Sequence, residues 1–239
     1  MEKLRHFLIT TFTFTWIFCL LTSLLTHVTT LKQADLLPAN LFYIGGFGPV
    51  VGFWTVEKPC LAILTQKLFS LKNGGATYLI SFLLLELAFI AVSSRQLNPS
   101  LPLSLIPLSL FRALICDGGQ EEIGWRGSLQ PLMQQKYSTV LATFLSGCIW
   151  AVYHIPLWFI EGNSHQETSF LAFAILAIVV YFWNTGIYSR TKSIFASMVF
   201  HASNNILMSA LVIKLNQLFL LGIIVLLAIV IKMIRTEKL

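Results

Sequence analysis

The chain has 239 residues, 56% of them hydrophobic and only 11% charged, with a mean hydropathy of +0.77; a soluble domain carries about 25% charge, so a water-facing surface of ordinary composition is excluded and the length suits one membrane domain. The net charge of +6 does not point to nucleic acid, because the basic residues are scattered between apolar runs and form no patch; they read as loop charges that orient helices in a bilayer. The four cysteines, Cys19, Cys60, Cys116 and Cys148, include no C-x-x-C pair and read as packed thiols rather than a disulfide frame or a thiolate metal site.

A membrane-spanning helix needs about 20 mostly apolar residues. The first candidate follows the charged stretch Met1 to His6 and runs over 7–26. It is longer than the core of a signal peptide and lacks an A-x-A site, so it reads as a retained helix. The next spans fall at 36–56, 76–94, 102–120, 138–160, 169–189, 194–213 and 216–233. The second contains Gly45, Gly46, Gly48, Pro49 and Gly52, small residues that allow helices to approach closely. Residues 59–72 are too mixed to span and suit the membrane interface. The expected fold is all-α, a polytopic transmembrane bundle of about eight helices. It divides into N-terminal helices (1–100), a core (101–215) and a C-terminal helix with its tail (216–239).

Loop charges orient this map. With eight spans, twelve basic residues fall on the side of the termini: Lys3, Arg5, Lys58, Lys67, Lys72, Arg126, Lys136, Arg190, Lys192, Lys232, Arg235 and Lys238. Three, Lys32, Arg95 and Lys214, fall on the other. The positive-inside rule then puts both termini in the cytoplasm of a multi-pass cell-membrane protein.

Polar residues inside spans are costly and mark function by default. Glu86 and Arg112 lie near the middles of the third and fourth spans, and the expectation is that they form a structural ion pair. Glu121, Glu122 and Arg126 follow at the end of the fourth span. Glu122 and Arg126 are i and i+4, so Arg126 is expected to hold Glu122, while Glu121 points about 100° away. His154 lies four residues after Trp150 and two before Pro156, which disturbs the helix beside it. His201 and Asn205 are i and i+4 in the seventh span. Each group alone also reads as a boundary charge cluster, a histidine bonded to a backbone carbonyl, or polar glue between helices. Together they offer a base, an orienting group and oxyanion donors.

One feature of this map resists a straight-helix reading. A span starting near Ser138 carries His154 about 24 Å deep at about 1.5 Å per residue, deeper than Glu121. Re-entry of 127–137 or a tilted fifth span would reconcile the two. Other intramembrane protease chemistries fit poorly. No H-E-x-x-H is present, Ser146-Gly147 lacks the first glycine of G-x-S-G, and the two aspartates, Asp35 and Asp117, include one in a loop.

Three segments in order resemble the CPBP family, which includes CAAX prenyl endopeptidases and bacteriocin-processing or immunity-type (Abi-like) membrane proteins. Its E-E-x-x-x-R motif is met by Glu121, Glu122 and Arg126, within the bacterial-looking string EEIGWRG. Its aromatic residue four before histidine is met by Trp150 and His154, with tryptophan where the prenyl endopeptidases favour phenylalanine. Its H-x-x-x-N is met by His201 and Asn205. The resemblance runs from about 105 to 215. It implies an endopeptidase acting on a membrane-associated peptide or protein, in which Glu121 and His154 activate water, His201 and Asn205 stabilise the oxyanion, and Glu122 and Arg126 support the site. Glu121, His154 and His201 would hold zinc if a metal is present, and the same atoms would position water without one. The alternatives are a non-catalytic immunity or scaffold protein with the same motifs, and a transporter using Glu86, Arg112 and the histidines. The partners expected are the lipid bilayer and a membrane-associated substrate, with no nucleic acid.

Overall fold

The structure is a computed structural model that describes residues 2–72, 74–93, 96–99, 101–211 and 216–235, with the backbone alone over 89–93. The basic residues Arg95, Lys214 and Lys238 of the charge map lie outside the described residues. Among the described residues the secondary structure is helical, apart from one isolated antiparallel bridge between Leu97 and Leu211. The helices are α1 (Glu2–Val28), α2 (Leu36–Gly45), α3 (Gly48–Glu57), α4 (Leu61–Phe69), α5 (Gly75–Ser93), α6 (Ile106–Cys116), α7 (Glu122–Gly124), α8 (Gln130–Gln134), α9 (Thr139–Tyr153), α10 (Phe170–Thr191), α11 (Ile194–Ala210) and α12 (Gln217–Arg235). All four cysteines are free thiols.

Among the described residues, five stretches are long and apolar enough to cross a membrane: Glu2–Val28, Leu36–Glu57, Thr139–Phe159, Phe170–Thr191 and Gln217–Arg235. These match five of the eight expected spans within a few residues, and Gly75–Ala88 is a shorter apolar helix. The expected span over 102–120 is only partly regular. Its α-helix is the 11 residues of α6, about 16 Å at about 1.5 Å per residue. Asp117 and the left-handed Gly118 (φ 116°) end it. Residues 59–72, expected at an interface, hold the short α4.

The chain forms two compact units, one of Met1–Lys58 with Ile123–Tyr181 and one of Pro59–Glu122 with Phe182–Leu239. In the first, α1 buries Phe7, Thr11, Thr15, Cys19, Thr22 and Thr26, a stripe at helical spacing that packs against α2 and α3. The glycines of the second span make this approach possible. A Cβ on Gly48 would fall 2.6 Å from the Thr11 carbonyl oxygen, and one on Gly52 3.1 Å from the Phe7 ring. The Thr15 hydroxyl donates to the Gly45 carbonyl at 2.7 Å, so α1 is fastened at the glycine kink. Around Phe7 gathers a core of Trp125, Leu129, Met133, Trp150, Tyr153 and Tyr181.

In the second unit α5 and α11 run side by side in the same direction. Lys72 N–H donates to the Thr191 carbonyl at one end and Asn98 N–H to the Ala210 carbonyl at the other. Phe82 of α5 meets Phe200 of α11 and Trp183 of α10 edge-on. Packing of α11 against α6 and the turn at Gly119–Glu121 brings the H-x-x-x-N face of α11 to the double glutamate.

The expected Glu86–Arg112 ion pair is not formed. Glu86 is fully buried, and neither carboxylate oxygen has a hydrogen-bond partner among the described residues. The Arg112 side chain is 52% exposed and reaches Asp117 instead, at 3.5 Å. The inference assumed two full-length antiparallel spans with matching midpoints. Because α6 is short and its Arg112 side faces outward, the charge finds a partner five residues along its own chain.

Candidate active site

The turn after α6 builds one part of the site. Gly118 adopts φ 116° and ψ −48°, a conformation open to glycine and costly for other residues. Its N–H donates to Gln120 Oε1 at 3.1 Å, and its carbonyl accepts from Glu121 N–H at 3.0 Å. This locked turn starts a 3₁₀ helix, Gly119–Glu121, in which all three residues are buried. The helix passes through α7 into a π-helical turn over Trp125–Leu129 and then α8. The segment read as a loop is thus helical, and π turns of this kind often accompany functional sites.

His201 of α11 is 3% exposed, and its Nδ1 lies 2.9 Å from Glu122 Oε1. One turn on, Asn205 Nδ2 donates to the Asp117 carbonyl at 3.1 Å. Both side chains are therefore oriented by groups of the α6 turn. Their outer nitrogens converge: a Cβ placed on Gly118 would lie 2.6 Å from Asn205 Nδ2 and 2.9 Å from His201 Nε2. Both nitrogens thus pack against the Gly118 α-carbon, an approach that a side chain at 118 would block. An ionised Glu122 accepts from Nδ1–H. The ring then donates from Nε2 as well only in its imidazolium form, which a carboxylate neighbour accompanies as an ion pair.

In the other unit, Arg126 is 1% exposed, so it is a buried residue and not the loop charge that the topology count made it. Its guanidinium carbon sits 3.9 Å above the Tyr181 ring centroid, and Nη2 donates to the Tyr181 carbonyl at 3.3 Å. Tyr181 was not singled out in the sequence. It combines a cation–π face with a carbonyl acceptor for the same guanidinium.

His154 caps α9, whose last helical residue is Tyr153. Pro156 follows in a 3₁₀ turn, Ile155–Phe159, as a proline two residues past the histidine predicts. His154 Nδ1 lies 2.7 Å from the Trp150 carbonyl oxygen, and the Trp150 ring meets the imidazole edge-on at 5.1 Å. The expected bond to a backbone carbonyl is therefore made through Nδ1. The carbonyl fixes Nδ1–H, which leaves Nε2 as the nitrogen able to accept a proton.

Among the described residues no three His, Cys, Asp or Glu side chains form a group able to hold a metal ion.

Two comparisons bear on these residues. A family profile described as type II CAAX prenyl endopeptidase Rce1-like matches residues 102–207. The "CAAX prenyl protease 2" of Methanococcus maripaludis is 27% identical over 115 residues, which cover 45% of this chain and 42% of that protein. The match thus spans less than half the length of the curated relative. The matched region contains Gly118 and all three motifs. Over this stretch the chain is similar to the Rce1-like type II CAAX prenyl endopeptidases.

Proposed function

We propose that this protein hydrolyses a peptide bond of a membrane-associated protein or peptide. Glu121 and His154 take the proton of the attacking water, and the water oxygen bonds to the scissile carbonyl carbon. The carbonyl oxygen, now an oxyanion, is held by His201 Nε2–H and Asn205 Nδ2–H. The C–N bond then breaks, the amine leaves with a proton, and the acyl part is released as a carboxylic acid. Glu122 and Arg126 support the site without touching substrate. The observation that carries this reading is that Asn205 Nδ2 and His201 Nε2 lie beside each other against Gly118, near enough for one oxygen to accept from both. Two neighbouring donors of this kind are what an oxyanion hole needs.

The test is cleavage of membrane peptides, with and without a prenylated cysteine, by the purified protein. Glu121→Gln and His154→Ala should each lower cleavage by about 10³-fold or more with unchanged thermal unfolding. Folded variants that cleave at the wild-type rate would remove the two residues from the mechanism.

Chelation separates the two ways of activating the water. If Glu121 and His154 activate it by themselves, exhaustive chelation should leave the rate within about twofold of the untreated protein. Loss on chelation with recovery on added zinc would make the protein a metallopeptidase.

The reading places both termini in the cytoplasm. It rests on the basic asymmetry of the loops, of which the buried Arg126 is no longer a part.

A further inference from the structure

His165 lies between the fifth and sixth spans, where the sequence assigned it no role. The structure builds it carefully into the surroundings of His154. Asn163 Oδ1 accepts from the His165 backbone N–H at 3.0 Å and from its ring Nδ1 at 2.8 Å. Thr168 Oγ1 donates to the His165 carbonyl at 3.0 Å, and Trp158 Nε1 to the Thr168 carbonyl at 2.9 Å. The loop is thus closed on itself around the imidazole. Burial pushes the His165 imidazole down to about 4, so the ring is uncharged at neutral pH.

Rings surround His154. Trp150 and Tyr153 meet it edge-on at 5.1 and 5.0 Å, and Phe173 at 5.2 Å. The His165 ring lies nearly parallel to it, 17° apart in plane, with centroids at 6.4 Å. Phe173 is shared, since it touches His165 at 5.1 Å as well as His154. Trp158 closes the far side, 5.0 Å from His165 and 5.2 Å from Phe173. The Trp150 carbonyl holds the His154 ring at Nδ1. Rings packed on the faces of a planar side chain restrict its rotation about the side-chain bonds.

We propose that His165 is a positioning residue for His154, held by the Asn163–Thr168 loop so that its ring, directly and through Phe173, walls the His154 imidazole into one orientation. The role as a catalytic support rests on the peptidase reading above; the structural claim does not. The wall belongs to the same compact unit as His154. It acts through the ring that carries the proton-accepting nitrogen, not by contact with substrate.

Two measurements test this. The first is the kinetic split. His165→Ala should lower kcat about 10–100-fold, the cost of a small misplacement of a catalytic group, with KM within about threefold. His165→Phe keeps a ring of similar size and should stay within about threefold of wild type on both. The second needs no activity. The protein has five histidines, so the ring signals of a histidine-labelled sample, freed of any histidine tag, are few enough to assign by substitution. The His154 signal should be single in wild type and in His165→Phe, and broadened or split in His165→Ala. Asn163→Ala, which releases the His165 ring but keeps it, should change the signal in the same sense and serves if His165→Ala does not fold. A His154 signal unchanged in the folded variants that lack the wall would overturn the proposal. So would a raised KM at unchanged kcat, which would mean that His165 contacts substrate. If the wild type cleaves nothing, the peptidase reading fails while the spectrum still decides this one.

Discussion

Gly118→Ala should abolish cleavage in a protein that still assembles as a helical bundle. The new methyl would occupy the point that lies 2.6 Å from Asn205 Nδ2 and 2.9 Å from His201 Nε2. Both distances are well inside ordinary contact for carbon. Those nitrogens are ends of flexible side chains, so in principle they can move aside. Moving them breaks the bond from Asn205 to the Asp117 carbonyl and the pairing of His201 with Glu122. The methyl therefore scatters the donors meant for the substrate oxygen. Removing one oxyanion donor costs about 10²–10³ in rate, and disturbing two should cost at least that. The left-handed φ of 116° adds backbone strain of about 1–3 kcal/mol, visible as lower thermal stability. The expected result is a cleavage loss of about 10³-fold at a modest stability cost. Near wild-type cleavage by the folded variant would mean that these two nitrogens are not the oxyanion donors.

Gly124→Ala should fail differently, by destabilising the fold. Gly124 lies inside the string EEIGWRG, where its neighbours attract the eye and the glycine does not. A Cβ there would fall 2.5 Å from Pro49 Cβ and 2.6 Å from the Pro49 carbonyl carbon, and closer still to the carbonyl oxygen. Two of these are backbone atoms at the start of α3, and Pro49 is itself buried. Neither wall is the tip of a flexible side chain, so α3 or the helical segment after Glu122 must shift as a body. Overpacking of this kind costs about 1–3 kcal/mol and sometimes more. The upper end is expected here, because the same α3 is closely packed on α1 at Gly48 and Gly52. Thermal unfolding in detergent should show the drop, with cleavage per folded molecule largely kept.

These two glycines show where the sequence was legible and where it was not. Five long spans were readable because an apolar run of bilayer length has few other uses, and helix α9 ended where Pro156 implied. The three motifs were readable because they set rare polar residues at helical spacing within apolar runs. Gly118 was not, because a positive φ leaves no mark in composition; the Gly-Gly pair before the double glutamate was the available signal. Arg126 was counted as a loop charge because a sequence does not display the Tyr181 ring, 55 residues on, that stacks on it. His165 lies outside the expected spans and carries no motif, though its loop folds back onto His154. The Glu86–Arg112 pairing failed for a related reason: it took span midpoints as depths, and α6 is too short and too exposed for that.

The most direct measurement of the central claim is cleavage of a membrane peptide in water enriched in oxygen-18, read by mass spectrometry of both products and of the protein. Hydrolysis by activated water predicts that wild type places one heavy oxygen in the new carboxyl terminus. It also predicts no mass added to the protein at any time, and no product from folded Glu121→Gln. Product formed at the wild-type rate by folded Glu121→Gln, or a peptide adduct accumulating on the protein, would contradict it.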